Sequence, residues 1–202
     1  MASVARKTYT PEEYLELERN AEYKSEYING EIYAMAGASV DHITISSNLL
    51  AEIHQQLKGK PCRVFNSDLR IKVNPTGMYT YPDITAVCGT IRLEDTKQDT
   101  LLNPTLIAEV LSPSTEAYDR GEKFAHYRKL PSLQEYILIS QDKILVERYI
   151  RQGEDWLLSA FSDPNATLNL TSINCAIPIA SIYTDVDFPS EPTSSHPQPP
   201  EV

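Results

Sequence analysis

Cysteine is scarce in this chain: Cys62, Cys88 and Cys175 are the three in 202 residues, far apart and odd in number. No Cys-x-x-Cys pair exists, so neither a disulfide framework nor a zinc knuckle is expected, and a reducing, cytoplasmic setting is the simpler reading. Long apolar runs are missing as well. Nothing approaches the ~18 residues of a membrane span, and Met1 to Thr10 carries two cations without an apolar stretch behind them, so no signal peptide is expected. Bases are short too, 18 against 28 acids for a net charge of −10. Proteins that grip nucleic acid by charge alone carry a basic footprint. An acidic chain can act on nucleic acid only where its cations are local and a metal bridges the phosphate. No internal repeat is visible.

What is present describes one ordinary folded domain. With 41% apolar and 23% charged residues, the composition is globular, and a chain of this length buries roughly 70% of its unfolded surface without staples. One domain over 1–187 is expected. From Phe188 onward five of fourteen residues up to Glu201 are proline and apolar periodicity ends, so 188–202 reads as a disordered tail.

Local signals are strong in the first half. Thr10-Pro11-Glu12-Glu13 combines a cap, a proline at the first helical position and a glutamate three after the cap, predicting a helix to about Arg19. Asn29-Gly30 between β-prone runs predicts a hairpin. Ile45, Leu49, Ile53 and Leu57 recur every four residues, predicting an amphipathic helix from about Asp41. Strands are predicted at 63–65, 69–73 and 81–87, a surface loop over 92–103, and a buried strand over 105–111. A helix from Asp119 to about Lys129 and strands at 135–139, 144–150 and 156–161 follow, while 168–183 gives no clear pattern. Such an order predicts an α/β (α+β) fold with a mixed central sheet flanked by helices, preceded by an N-terminal helix and β-hairpin.

Glu109 is the anomaly. A carboxylate inside the apolar run Leu106–Leu111 would cost several kcal/mol if buried without a partner, so it needs a cation, a proton or a metal. Asp83, just after Pro82, is the second acid of interest. Two carboxylates ~4 Å apart repel by ~4 kcal/mol at an effective dielectric near 20. A dication removes that penalty, and Mg²⁺ is typically held by one or two carboxylates with water and phosphate completing the shell. Lys123 shares a helical face with Asp119 and Tyr127 and directly follows the Glu109 strand, so it is the candidate cation. Glu26 at the hairpin entrance fits either a third acid near the site or an exposed strand residue. His42 reads as a cap or core-edge hydrogen-bonder, and Arg70 and Lys72 as a solvated sheet face or phosphate contacts.

Pro82-Asp83, the Glu109 strand, and Glu109-Val110-Leu111-Ser112-Pro113-Ser114-Thr115 followed by Asp119-Arg120-Gly121-Glu122-Lys123 together resemble the Uma-two family of "putative restriction endonucleases", of the PD-(D/E)xK nuclease superfamily. Glu26 ahead of Tyr27-Ile28-Asn29-Gly30-Glu31-Ile32, and His42 at a helix start, resemble its N-terminal half. The likeness spans about Tyr9 to Tyr183. It implies a restriction-endonuclease-like core in which Asp83 and Glu109 hold Mg²⁺ or Mn²⁺, with the Val110 carbonyl a third ligand. It also implies that Lys123 has taken the role of the lysine usually found two residues after the glutamate, where this chain has Leu111. The expected activity is metal-dependent hydrolysis of phosphodiesters, in DNA rather than RNA, by a possible homodimer with no membrane partner. A non-catalytic binding or assembly module on the same fold is the alternative, and a hydrolase of other phosphate esters a third.

Overall fold

A computed structural model describes residues 7–188. The expected tail lies outside the described residues apart from Phe188, whose ring packs edge-on to Tyr183 at 5.5 Å.

The N-terminal elements form as their local chemistry dictates. Helix α1 (Pro11–Asn20) opens with a complete capping box: the Thr10 hydroxyl accepts from Glu13 N–H at 3.2 Å, and the Glu13 carboxylate accepts from Thr10 N–H at 2.8 Å. Strands β1 (Ser25–Ile28) and β2 (Glu31–Ala34) pair around Asn29 and Gly30, both at positive φ (52° and 89°), as a primed two-residue turn requires. Helix α2 (Val40–Leu57) buries Ile45, Leu49, Ile53 and Leu57 along one stripe.

Strands β3 (Cys62–Asn66), β4 (Arg70–Val73), β5 (Met78–Thr80), β6 (Ile84–Cys88), β7 (Thr100–Leu101) and β8 (Leu106–Leu111) follow. Next come α3 (Glu116–Tyr118), a π-helical turn (Asp119–Lys123) and α4 (Phe124–Tyr127), then β9 (Glu135–Ser140), β10 (Val146–Gln152) and β11 (Asp155–Phe161). The segment 168–183, unassigned from sequence, forms the hairpin β12 (Thr167–Leu170)–β13 (Cys175–Pro178) and helix α5 (Ile179–Ile182). Glu135 pins that hairpin's turn. Its carboxylate accepts from Thr171 N–H and Oγ1, both at 3.1 Å, and from Ser172 N–H and Oγ at 3.2 and 2.6 Å.

The six-stranded central sheet runs β11-β10-β9-β8-β6-β3, mixed because β8 and β9 are parallel. A five-stranded sheet, β2-β1-β5-β4-β7, is also mixed, with β4 and β7 parallel. Two departures from expectation arise here. The chain leaves the five-stranded sheet after Thr80 and enters the central sheet at Ile84, so 78–88 is two strands in two sheets with Tyr81-Pro82-Asp83 at the crossover. The stretch 92–103 also carries β7, whose two residues are buried.

Helices flank the central sheet on one face, where α2, α5 and the β12–β13 hairpin pack on Leu106, Ala108 and Val110. The opposite face is covered chiefly by the five-stranded sheet: Ile71, Val73, Met78 and Leu101 pack with Ile107, Leu111, Tyr136 and Leu138. Side chains alternate along β8, so Glu109 shares the face of Ile107 and Leu111 and points between the two sheets.

Two sequence expectations are overturned. Cys62 and Cys88 form a disulfide, leaving Cys175 as a buried free thiol. The two are 26 residues apart in the chain but directly opposite in the antiparallel β3–β6 register, a proximity that spacing along the chain conceals. Cysteine usage therefore no longer argues for a reducing compartment. Arg70, expected on an open or phosphate-facing surface, is buried. Its Nη1 donates to the Tyr81 hydroxyl at 2.9 Å and its Nε to Thr100 Oγ1 at 3.0 Å, while Nη2 lies 3.1 Å from Asp99. Lys72 is likewise engaged, by Glu94 at 2.5 Å. Neither cation is available to a phosphate backbone without breaking these contacts. The tyrosines are mostly core: Tyr14, Tyr79, Tyr127 and Tyr136 are fully buried.

Candidate active site

Five segments converge between the sheets. Strand β8 supplies Glu109 and Val110, the crossover supplies Asp83, β1 supplies Glu26, the π-helical turn supplies Asp119 and Lys123, and the first turn of α2 supplies His42.

Lys123 is the hub. Its Nζ lies 3.0 Å from Glu109 Oε1, 3.3 Å from Glu26 Oε1 and 3.5 Å from Asp119 Oδ1. Glu109 and Asp119 are each 4% exposed and Lys123 7%, so these are interior charges. The pairing of Asp119, Lys123 and Tyr127 expected on one helical face is thus present, although the segment begins three residues earlier than predicted. It is also wound as a π turn, a rare form found mostly as single turns.

A ring of contacts joins the two sheets through this lysine. The Tyr127 hydroxyl donates to Glu109 Oε1 at 2.8 Å, and Thr80 Oγ1, which donates to Glu26, lies 3.4 Å from the Tyr127 hydroxyl. Lys123 closes the circuit between the two glutamates. Glu26 is therefore a member of the cluster and not an exposed strand residue. The alternation of β1 explains this: Ser25 and Tyr27 face the α1 side, which turns Glu26 the other way.

Asp83 is held beside Glu109 at the point where β6 has not yet begun. Its Oδ2 accepts from Val110 N–H at 2.7 Å, taking the place a sheet partner would fill. Its own N–H donates to Glu109 Oε2 at 3.3 Å. His42 Nε2 lies 2.9 Å from Asp83 Oδ1. The side chain of His42 is turned to the acid, while its backbone N–H is capped by Ser39 Oγ at 3.1 Å.

The electrostatics are those of crowded carboxylates. Burial pushes the Glu109 carboxyl up to about 8; Lys123 pulls it down, while Asp119 and Asp83 push it further up. Asp119 is raised for the same first reason, burial, against the pull of Lys123. Burial disfavours the charge on Lys123, but Glu109, Glu26 and Asp119 outweigh it and hold the ammonium well above its ordinary range. Three interior acids thus share one lysine, and Glu109 relieves the crowding by holding a proton near neutral pH.

The donor set suits a hard divalent cation. Asp83 and Glu109 are linked through the Asp83 N–H on Glu109 Oε2 and the Val110 N–H on Asp83 Oδ2, and a dication between them would offset the burial, and after it the neighbouring acids, that lift Glu109. Among the described residues no group of three or more His, Cys, Asp or Glu side chains forms a cation cage. Mg²⁺ does not require one, since it retains water and takes one or two carboxylates.

Thr80, Tyr127 and the His42–Asp83 bond were not assigned to a site from sequence. Tyr127 was visible only as a spacing from Lys123, and Thr80 had no signal, because its strand and its sheet were both unrecognised.

The architecture is that of a nuclease-like fold. A structure described as a "putative nuclease belonging to DUF820" from Anabaena variabilis superposes with a TM-score of 0.72 at 24% identity, over 87% of this chain and 97% of that one. The family model "Uma2: Putative restriction endonuclease" matches residues 11–179, and the chain belongs to that family. It is 39% identical over 180 residues to the uncharacterized protein slr1290 of Synechocystis sp., covering 89% of this chain and 93% of the relative. It is 37% identical over 172 residues to sll1609 of the same organism, covering 85% and 97%. No helix among the described residues is long and apolar enough to cross a membrane.

Proposed function

We propose that the chain is a Mg²⁺- or Mn²⁺-dependent endonuclease that hydrolyses phosphodiester bonds in DNA, with Asp83 and Glu109 holding the metal. The observation that carries this reading is the placement of Asp83 against Val110 and Glu109, with Lys123 on the far oxygen of that glutamate. Asp83 and Glu109 supply charged oxygens, and the Val110 carbonyl leaves β8 by the same edge as the N–H that Asp83 accepts. When bound, the metal activates water for attack and neutralises charge developing on the phosphate.

The protein's own groups do the rest. Lys123 places a fixed positive charge among Glu109, Glu26 and Asp119, from which it would steady the attacking water and the additional negative charge of the transition state. Tyr127 donates to Glu109 and fixes its carboxylate plane, and burial, followed by the charge of Glu109, keeps that hydroxyl protonated. His42 and Val110 N–H orient Asp83 from two sides. Glu26 and Asp119 hold Lys123 in place and keep it charged. Supporting partners of this kind fix ligands and tune the ion they hold.

The acidic surface fits an enzyme whose hold on its substrate depends on the metal, because Arg19, Arg70, Lys72, Arg120 and Lys123 are committed to internal carboxylates. Purified protein incubated with plasmid, single-stranded DNA and RNA, in Mg²⁺ or EDTA, tests the reading. Mg²⁺-dependent cleavage that is lost in both Asp83→Ala and Glu109→Ala is the expected result, whereas cleavage persisting in both variants would falsify the assignment. Manganese titration by calorimetry addresses the non-catalytic alternative: a wild type that binds no metal, or an Asp83→Ala protein that binds it equally well, favours an assembly module.

A further inference from the structure

Acids are plentiful in this chain, yet one end of the central sheet is nearly without them. No Asp or Glu stands between Glu52 and Asp68, between Asp83 and Glu94, or between Asp163 and Asp185. These three stretches meet in space. Cys62 and Arg63 on β3 lie opposite Cys88 and Val87 on β6, and Gly89 N–H donates to the Pro61 carbonyl at 2.8 Å. Lys60 Nζ donates to the Asn174 carbonyl, in the β12–β13 turn, at 2.8 Å. Glu135, the acid beneath that turn, is buried with both of its oxygens taken by Thr171 and Ser172.

Cations occupy the gap. Lys58, Lys60 and Arg63 are exposed, and none of them enters an ion pair among the described residues. Lys60 and Arg63 line a cleft of about 520 Å³ together with Pro61, Gly89, Thr90 and Ile91. The two lysines also complement the negative C-terminal end of α2. Arg63 has no helix end to serve, and an exposed guanidinium matches the geometry of phosphate oxygens. A cationic cleft on a chain of net charge −10 is complementary to a polyanion.

Strand register ties this cleft to the candidate site. Arg63 stands opposite Val87, whose side chain packs on the face toward the five-stranded sheet, the face that also carries Glu109. From Val87 back to Asp83 is four residues, about 14 Å at the rise of a strand. One strand of duplex DNA advances about 3.4 Å per base. The cleft therefore lies about four base pairs from a phosphate held at Asp83.

We propose that this cleft binds the phosphate backbone of the DNA substrate, about four base pairs from the bond that is cut, with Lys60 and Arg63 as its contacts. The inference rests on the nuclease reading above. It assigns to that enzyme the local cations that an acidic chain needs if it is to hold a polyanion beyond the metal site.

The experiment uses the full chain in Mg²⁺ with two substrates. One is a fluorescein-labelled duplex of about 30 base pairs, long enough to reach from the site to the cleft. The other is bis(p-nitrophenyl) phosphate, a diester small enough to occupy the site alone. For each, kcat/KM is followed from low to high salt. Removing one phosphate contact lowers the salt slope by about one. Arg63→Ala should therefore lose about one from the slope on the duplex and Lys60→Ala/Arg63→Ala about two, while Arg63→Lys, which keeps the charge, stays close to wild type. Turnover of the small diester should match wild type in every variant. A duplex slope unchanged in the double variant overturns the proposal. An equal fall on both substrates overturns it too, since the defect would then lie in the site or the fold. A wild type inert on both substrates removes the nuclease reading, and this inference with it. With a wild type that cuts the duplex, the variants bear on the cleft alone.

Discussion

Lys123 Nζ lies 3.0 Å from Glu109 Oε1, both side chains buried, and this single contact separates a tolerable interior from an intolerable one. Removing one member of a buried ion pair strands the other. Lys123→Met should therefore abolish cleavage and destabilise the metal-free protein by about 3–5 kcal/mol at pH 9, with a smaller loss near neutral pH, where Glu109 can take up a proton instead. Urea unfolding in EDTA measures the loss. Repeating it in Mn²⁺ should restore part of the stability, because the ion takes over the neutralisation of Glu109; no difference between the two conditions would argue against a cation seat at this carboxylate.

The His42–Asp83 bond gives a second expectation. With Nε2 at 2.9 Å from Oδ1, the imidazole restricts the carboxylate that the proposed metal needs. His42→Ala should weaken Mn²⁺ binding by roughly 10- to 100-fold, the usual effect of removing a partner of a ligand. His42→Gln, which retains an N–H donor, should weaken it less. Calorimetric titration of the three proteins decides, and equal affinities would show that His42 is only a helix-end residue.

Away from the site, Asp99 bridges α1 and the β7 edge. It accepts from Arg19 Nε at 2.8 Å and Nη2 at 2.9 Å, and lies 3.1 Å from Arg70 Nη2. The hydrogen bond from Arg19 holds its carboxyl well below the usual range; burial opposes this, and Arg70 adds to it. A depressed folded value means stability that is present above the ordinary carboxylate pKa and is lost as pH falls below it. Asp99→Asn should accordingly cost about 1 kcal/mol at pH 7, a modest figure because solvent screens a partly exposed group. The difference from wild type should shrink as pH drops below about 4. Urea midpoints at pH 7, 4 and 3 measure it; a gap constant across that range would contradict the ion pairing.

The Cys62–Cys88 bond closes a loop with a sequence separation of 26 residues. Closing a loop of that size stabilises by about 3 kcal/mol through the unfolded state. The double substitution Cys62→Ser/Cys88→Ser should lower the urea midpoint accordingly. Thiol titration of the unreduced, denatured protein should find one free thiol, Cys175; three would mean the bridge does not form.

Much of this molecule is legible at short range. The Thr10 capping box, the Asn29-Gly30 turn and the four-residue recurrence from Ile45 to Leu57 act between near neighbours, and each produced its element. The oddity of Glu109 was equally plain, because a carboxylate in an apolar strand demands a partner wherever the strand lies. Lys123 was reachable through its spacing from Asp119 and Tyr127. Resemblance of ordered motifs placed Asp83.

Tertiary structure alone decided which distant groups meet. The chain's switch from one sheet to the other between Thr80 and Ile84 brings Thr80 and Glu26 against Tyr127, and no periodicity along the sequence encodes which sheet a short strand joins. Cys62 and Cys88 become neighbours only through strand register, and Arg70 is covered only because α1 and Asp99 close over it. The physical reason is common to all three. Propensity and amphipathic spacing act over a few residues, whereas pairing across sheets is chosen by the burial of the whole core, a quantity that exists only once the chain has folded.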